Sequence, residues 1–367
     1  MDAELEKSLD HEEEELERED PTNVVPPDNI FTYSESRSCA DITRMVSEGN
    51  LKRDPFFQRH DVWSKADKTR FIDSLLKRMP IPSMCFSVDA HERYNVIDGR
   101  QRTSTIVEFI NALQDENSLQ DYSFSDLQDV DTRIAGRNLE EIQKNNPEVI
   151  TVIKNATIPI NMLKCDYQKE NNMQYIFKIF HRLNSGGVKL NNQEIRNCIY
   201  SGKFNDLLNE LNRLESWRRW VPRIANNERL KGAERILTFF AFLYHFDEYN
   251  GSMAAFLNKK MEAFSKQDNN WIDQQRNLFI QLLDICSKIE LQDYQKNVYI
   301  DAVLYGVSKN LFVCSKLSQE NIQRKFRTLL QLVAFSKENL KEGMTKTEGL
   351  KRRLTGACSV FSDNQNA

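Results

Sequence analysis

From about residue 203 to residue 342, every apolar segment of this 367-residue chain repeats at helical spacing, and none alternates as a strand would. "AERILTFFAFLYHF" (233–246) is apolar nearly all round, which predicts a central buried helix. "NLFIQLLDIC" (277–286), "YIDAVLYGVSKNLFV" (299–313) and "IQRKFRTLLQLVAF" (322–335) supply its neighbours. Before residue 203 the pattern is mixed. The strand-like stretches "IFTYS" (30–34), "PIPSMCFSV" (80–88), "RYNVI" (93–97) and "ATIPINML" (156–163) are interspersed with helical ones at 39–49, 67–79, 103–113 and 173–183. The expected class is therefore α+β, with a mixed domain over 28–202 followed by an all-helical bundle over 203–342. The polar stretch from 114 to about 150 reads as an insertion.

Charge is distributed unevenly. Residues 1–20 hold eleven acids against Lys7 and Arg18, a local charge of −9, so a chain of net charge −4 carries +5 on the remainder. Almost no apolar residues accompany those acids, and residues 1–27 are expected to form a disordered, solvated tail. A sharper reading makes that tail a mask over a basic groove. Residues 343–367, polar and with "KRR" at 351–353, are expected as a second tail. With 40% hydrophobic residues the chain can bury a sizeable core, yet no apolar run is long enough to span a membrane. An acidic start unlike a secretion signal and seven scattered cysteines without a Cys-x-x-Cys pair point to a cytoplasmic protein with reduced thiols. The five histidines are scattered too, which argues against a zinc site.

The chemistry concentrates in "NVIDGRQRTSTIVEFI" (95–110), a short strand that turns on Asp98-Gly99 and continues as an amphipathic helix. A helix start presents unpaired N–H groups and the positive end of the helix dipole, so it favours anions. Arg100 and Arg102 add charge-assisted hydrogen bonds suited to phosphate. Asp98 can orient one of these arginines or hold Mg²⁺ beside a phosphate, and Gly99 allows close backbone approach. An Asp-Gly turn with solvated arginines would account for the same residues, so the wider context matters. "FFQRHDVW" (56–63) contributes Arg59 between aromatics. "FHRLNSGGVKLNNQEIR" offers Asn184, a Gly186-Gly187 pair able to form an anion nest, and a capping box of Asn191 and Glu194. "NERLKGAERILTFF" places Arg229, Lys231 and Arg235 at the entry to the buried helix.

Taken in order, "FQRHDVWSKADKTRFIDSLLKRMPIP", "YNVIDGRQRTSTI" and "FHRLNSGGVKLNNQEIRN" resemble the N-terminal domain family of GmrSD-type restriction enzymes. The resemblance covers roughly residues 28 to 200. It implies a relative of the ParB/sulfiredoxin fold, and "ERLKGAERILTFFAF" with "YIDAVLYGVS" is similar to the helical continuation of stand-alone members. The family's Asp-Gly-Gln-Gln-Arg signature is matched by Asp98, Gly99, Gln101 and Arg102, whereas Arg100 stands where glutamine is usual. An arginine there keeps the phosphate chemistry and loses an amide able to orient water. The resemblance implies binding and hydrolysis of a nucleoside triphosphate, with Mg²⁺, inside a system that cuts modified phage DNA. Asp98, Gln101 and Asn184 would then be catalytic, with Asp98 at the metal. Arg59, Gly99, Arg100, Arg102, Gly186 and Gly187 would hold the nucleotide. The last histidine is His245, so no His-Asn-His nuclease domain is expected after it. The reading adopted is a nucleotide hydrolase acting as the regulatory or sensing half of an antiphage system. DNA and a separately encoded nuclease or other defence protein are its expected partners, and self-association is left open. The alternatives are a DNA-binding module without turnover and, third, a nuclease.

Overall fold

The computed structural model describes residues 3–17, 31–52, 63–88, 92–164, 175–179, 191–200, 202–227, 229–341 and 346–362. The chain divides into two compact units, one spanning Val24–Val188 and one made of Met1–Asn23 with Lys189–Ala367. The second unit thus starts with the N-terminal helix α1 (Ala3–Glu17) and resumes beyond the first.

The first unit is built on β1 (Phe31–Ser38), α2 (Cys39–Ser47), β2 (Leu51–Lys52), α3 (Lys65–Leu76), β3 (Met84–Val88), β4 (Tyr94–Asp98) and α4 (Arg100–Ala112). Helices α5 (Glu116–Asp121), α6 (Leu139–Asn145) and α7 (Pro147–Asn155) follow, then β5 (Thr157–Lys164). The strands form one mixed sheet in the order β1-β5-β3-β4-β2. β3 runs parallel to β5 and antiparallel to β4. Along β5, Ile158, Ile160 and Met162 are buried and alternate with exposed Thr157, Pro159 and Asn161, the signature of a sheet covered on one face. Those residues join Met84, Phe86 and Val96 in a core shared with Ile42 and Met45 of α2, Phe71, Ile72 and Leu75 of α3, and Ile106, Phe109 and Ile110 of α4. Ser64 and Asp67 close a capping box that fixes where α3 begins.

The stretch from 114 to 150 is part of this core rather than an insertion. Phe124, Val130, Ile134, Leu139, Ile142 and Val149 are all buried in it. Its apolar residues come singly between polar ones on short helices and the turns that join them, so no long period announces them.

In the second unit the expectation of helices alone holds, because the last described strand ends at Lys164. Phe239 and Phe240, on the helix Lys231–His245, both pack on Phe279, with ring centroids 5.7 and 6.0 Å apart. Each segment read as a tail carries a helix of this unit. Successive turns of α1 bury Leu5 and Leu9, two apolar residues too few to stand out among the acids. Thr347–Phe361 is likewise a helix, with Leu350, Leu354, Ala357 and Phe361 buried. It lies so close to the helix Asn297–Lys309 that a Cβ on Gly306 would meet the Ala357 carbonyl oxygen at 2.8 Å. The boundary between units also falls earlier than residue 202. The capping box of Asn191 and Glu194 opens the helix Asn192–Ile199, as its spacing predicts. From that helix, fully buried Arg196 donates to Asn258 at 2.8 Å and to Glu234 at 2.9 Å, inside the second unit. No helix among the described residues is long and apolar enough to cross a membrane.

Two substitutions test this packing. Gly99 has φ +94°, and a Cβ there would lie 2.5 Å from Met84 Cγ. Gly99→Ala should therefore lower the unfolding free energy by about 1–3 kcal/mol in urea titrations. An unchanged midpoint would contradict the geometry. In the helical unit, Arg235 donates to Asp301 at 2.6 Å, both side chains being largely buried. Burial pushes the Asp301 carboxyl up to about 6 although Arg235 opposes the shift. Asp301→Ala leaves a buried cation without its partner and should cost about 3–5 kcal/mol. A loss comparable to that of an exposed ion pair would show that the pair is not structural.

Candidate functional site at the β4 to α4 turn

Strand β4 ends at Asp98, Gly99 takes the left-handed conformation, and α4 starts at Arg100. Gly99 is the N-cap and offers no side chain to the first-turn N–H groups. Thr103 closes the turn, its backbone N–H and its hydroxyl both donating to the Gly99 carbonyl, at 2.8 and 3.0 Å. One helical turn past Asp98 lies Arg102, which donates from Nη2 to Asp98 Oδ2 at 2.9 Å. Its guanidinium also donates to the carbonyls of Pro82 and Ser83, in the segment leading into β3. The Arg102 side chain is 13% exposed and that of Asp98 37%, so the pair points from the interior towards the surface. Burial lowers the Arg102 pKa, while Asp98 works in the opposite direction.

A row of polar side chains extends from this pair across the sheet. Register pairs Ser34 on β1 with Asn161 on β5, Asn161 with Cys85 on β3, and Cys85 with Asp98 on β4. A register shift between Cys85 and Phe86 lets β4 carry one extra residue there, which re-aims Asp98 onto this row. Ser34 donates to Asn161 Oδ1 at 2.8 Å, and Asn161 Nδ2 donates to Ser83 Oγ at 3.1 Å. These residues line a cavity of about 370 Å³ together with Thr32, Tyr33 and Ile179. Burial, reinforced by the Asp98 charge, pushes the Cys85 thiol up to about 12, which makes it inert rather than nucleophilic.

Of the residues read as a site, the structure gathers Asp98, Gly99, Arg100, Gln101 and Arg102 at one turn, as consecutive positions must be. Of the two roles read for Asp98, orientation of an arginine is the one its geometry displays. Arg100 folds back to donate to the Val96 carbonyl at 3.3 Å, with Nε and Nη1 buried. The Gln101 side-chain oxygen is buried and has no hydrogen-bond partner among the described residues. Arg59, Asn184, Gly186 and Gly187 lie outside the described residues. Arg229 and Arg235 are engaged structurally, Arg229 with Glu194 at 2.8 Å and Arg235 with Asp301. Ser34, Ser83 and Asn161 were missed by sequence reasoning. Asn161 carried a usable signal, being the one amide in the largely apolar "ATIPINML".

No curated protein and no solved structure matches the chain. Residues 42–201 match the family model described as the GmrSD restriction endonuclease, N-terminal domain. That span runs from α2 through the turn and β5, leaving β1 outside it. On this match, and on a mixed α/β unit carrying the Asp98–Arg102 turn, the chain contains over residues 42–201 a domain of the GmrSD restriction endonuclease N-terminal family.

Proposed function

We propose that the protein is a component of a restriction-type antiphage system, and that it binds and hydrolyses a nucleoside triphosphate at the Asp98–Arg102 turn. The observation that carries this reading is a helix start without a side-chain cap, set beside a largely buried arginine paired with a part-exposed carboxylate at the edge of a cavity of about 370 Å³. That volume lies in the range of small-molecule sites. Triphosphate oxygens would accept from the first-turn N–H groups, with Arg102 supplying positive charge held in place by Asp98. Arg100 would join them only by giving up its bond to the Val96 carbonyl.

Mg²⁺ is commonly held by one or two carboxylates plus substrate phosphates, and it would neutralise phosphate charge here. Asp98, a carboxylate lining the cavity, suits that role. No cluster of three metal-ligating side chains exists among the described residues, so the metal would arrive with the nucleotide. Gln101, whose buried oxygen has no partner among the described residues, is the acceptor suited to orient a water. In this reading Asn184 helps to position that water, while Arg59, Gly186 and Gly187 complete the phosphate site. DNA and a separately encoded nuclease are the partners such a component would serve.

Calorimetry with Mg²⁺ and a triphosphate tests the proposal. Wild type should bind, and Arg102→Ala should weaken binding by about 1.5–3 kcal/mol. Because Arg102 also braces the Pro82–Ser83 segment, Arg102→Lys is the companion variant, retaining charge while losing the fork. Gln101→Ala should bind normally and turn over about a hundredfold more slowly. Arg100→Gln, which installs the residue usual in the family, should raise turnover. If the wild-type protein binds no nucleotide, with DNA absent and with DNA added, the hydrolase reading is wrong.

A further inference from the structure

The acidic helix α1 is seated on a row of cations in the helical unit. Glu4 pairs with Lys337 at 3.0 Å, and Arg223 bridges Glu6 at 3.2 Å and Asp10 at 2.9 Å. Lys296, whose side chain is only 1% exposed, also pairs with Asp10 and lies 3.7 Å from Glu6. Glu13 accepts the Asn297 N–H at 3.0 Å, at the start of the helix Asn297–Lys309, where Lys296 provides no side-chain cap. Carboxylates thus occupy a helix N-terminus and three basic side chains at once. Their carriers, Glu4 to Glu13, extend over roughly 14 Å of helix, at 1.5 Å of rise per residue. No single small anion spans such a row.

We propose that α1 is a built-in stand-in for a nucleic-acid backbone. Arg223, Lys296, Lys337 and the start of the helix Asn297–Lys309 form a phosphate-binding row that α1 covers and that DNA occupies when α1 leaves. Three features make the cover displaceable. Exposed ion pairs such as Arg223–Glu6 and Lys337–Glu4 are individually weak and screened by salt. The last turn of α1 is acidic, without a basic residue to meet the negative end of the dipole, so the helix depends on docking for its stability. Burial raises the Glu13 pKa, a sign that docking desolvates this carboxylate. The linear array favours a strand of phosphates, which places a charge about every 3.4 Å of axis, over a compact ligand. This inference concerns the helical unit and does not rest on nucleotide hydrolysis at the turn.

The test is fluorescence anisotropy with a labelled DNA duplex and the full chain carrying Glu6→Gln, Asp10→Asn and Glu13→Gln. Leu5 and Leu9 are retained, so α1 keeps its apolar contacts. Removing the competing carboxylates should tighten DNA binding by about tenfold at low salt, with a steeper salt dependence. Adding Arg223→Ala and Lys337→Ala should abolish that gain. No gain, a gain that survives those two substitutions, or equal competition by polyglutamate would each overturn the assignment. Should the triple variant fail to fold, hydrogen–deuterium exchange on wild type decides the matter. DNA should deprotect the amides of residues 3–17, and DNA bound with those amides still protected would overturn the proposal.

Discussion

The Arg102 guanidinium, largely withdrawn from water and shared between the Asp98 carboxylate and the Pro82 and Ser83 carbonyls, ties three segments of the first unit together. It joins the end of β4, the first turn of α4 and the lead into β3. A cation so far withdrawn from water needs its partners in place, because a buried donor left without an acceptor bears the full cost of its desolvation. The positive end of α4 is consequently held at the rim of the Ser34–Asn161–Cys85–Asp98 row. Gly99 makes the geometry possible, since its left-handed backbone allows Asp98 and Arg102 to meet across one helical turn while Met84 packs against its α-carbon.

The helical unit solves similar problems with different residues. Buried Arg196 bonds to Asn258, Gln193 and Glu234, and Arg235 pairs with Asp301. These pairs lie inside the unit and fix which helices are neighbours. The pairs made by α1 are of another kind, at a surface and along a line. A charge block read as a solvated tail is therefore a docked element, held by two leucines and a row of carboxylates.

Much of this was legible in the residues. The change from mixed to purely helical periods near residue 200, the strand-to-helix turn at Asp98–Arg102 and the capping box at Asn191 and Glu194 all follow from local rules that tertiary packing did not override. What escaped depended on partners distant in sequence. Leu5 and Leu9 look dispensable until cations more than two hundred residues away hold the helix that carries them. Ser34 and Asn161 become site residues only through strand register, which no window of sequence encodes. Arg102 reads as a phosphate ligand, and in the structure it is bonded to Asp98 and to backbone carbonyls, so the side chain proposed to meet phosphate is also a brace.

The central claim is that the first turn of α4 receives phosphate. Hydrogen–deuterium exchange resolved at the amides of Arg100, Gln101 and Arg102, with a non-hydrolysable triphosphate and Mg²⁺, addresses it most directly. The account predicts that these amides become protected on nucleotide addition, and that Arg102→Ala removes the protection. Nucleotide binding that leaves these three amides unchanged would contradict it and move the site elsewhere on the protein.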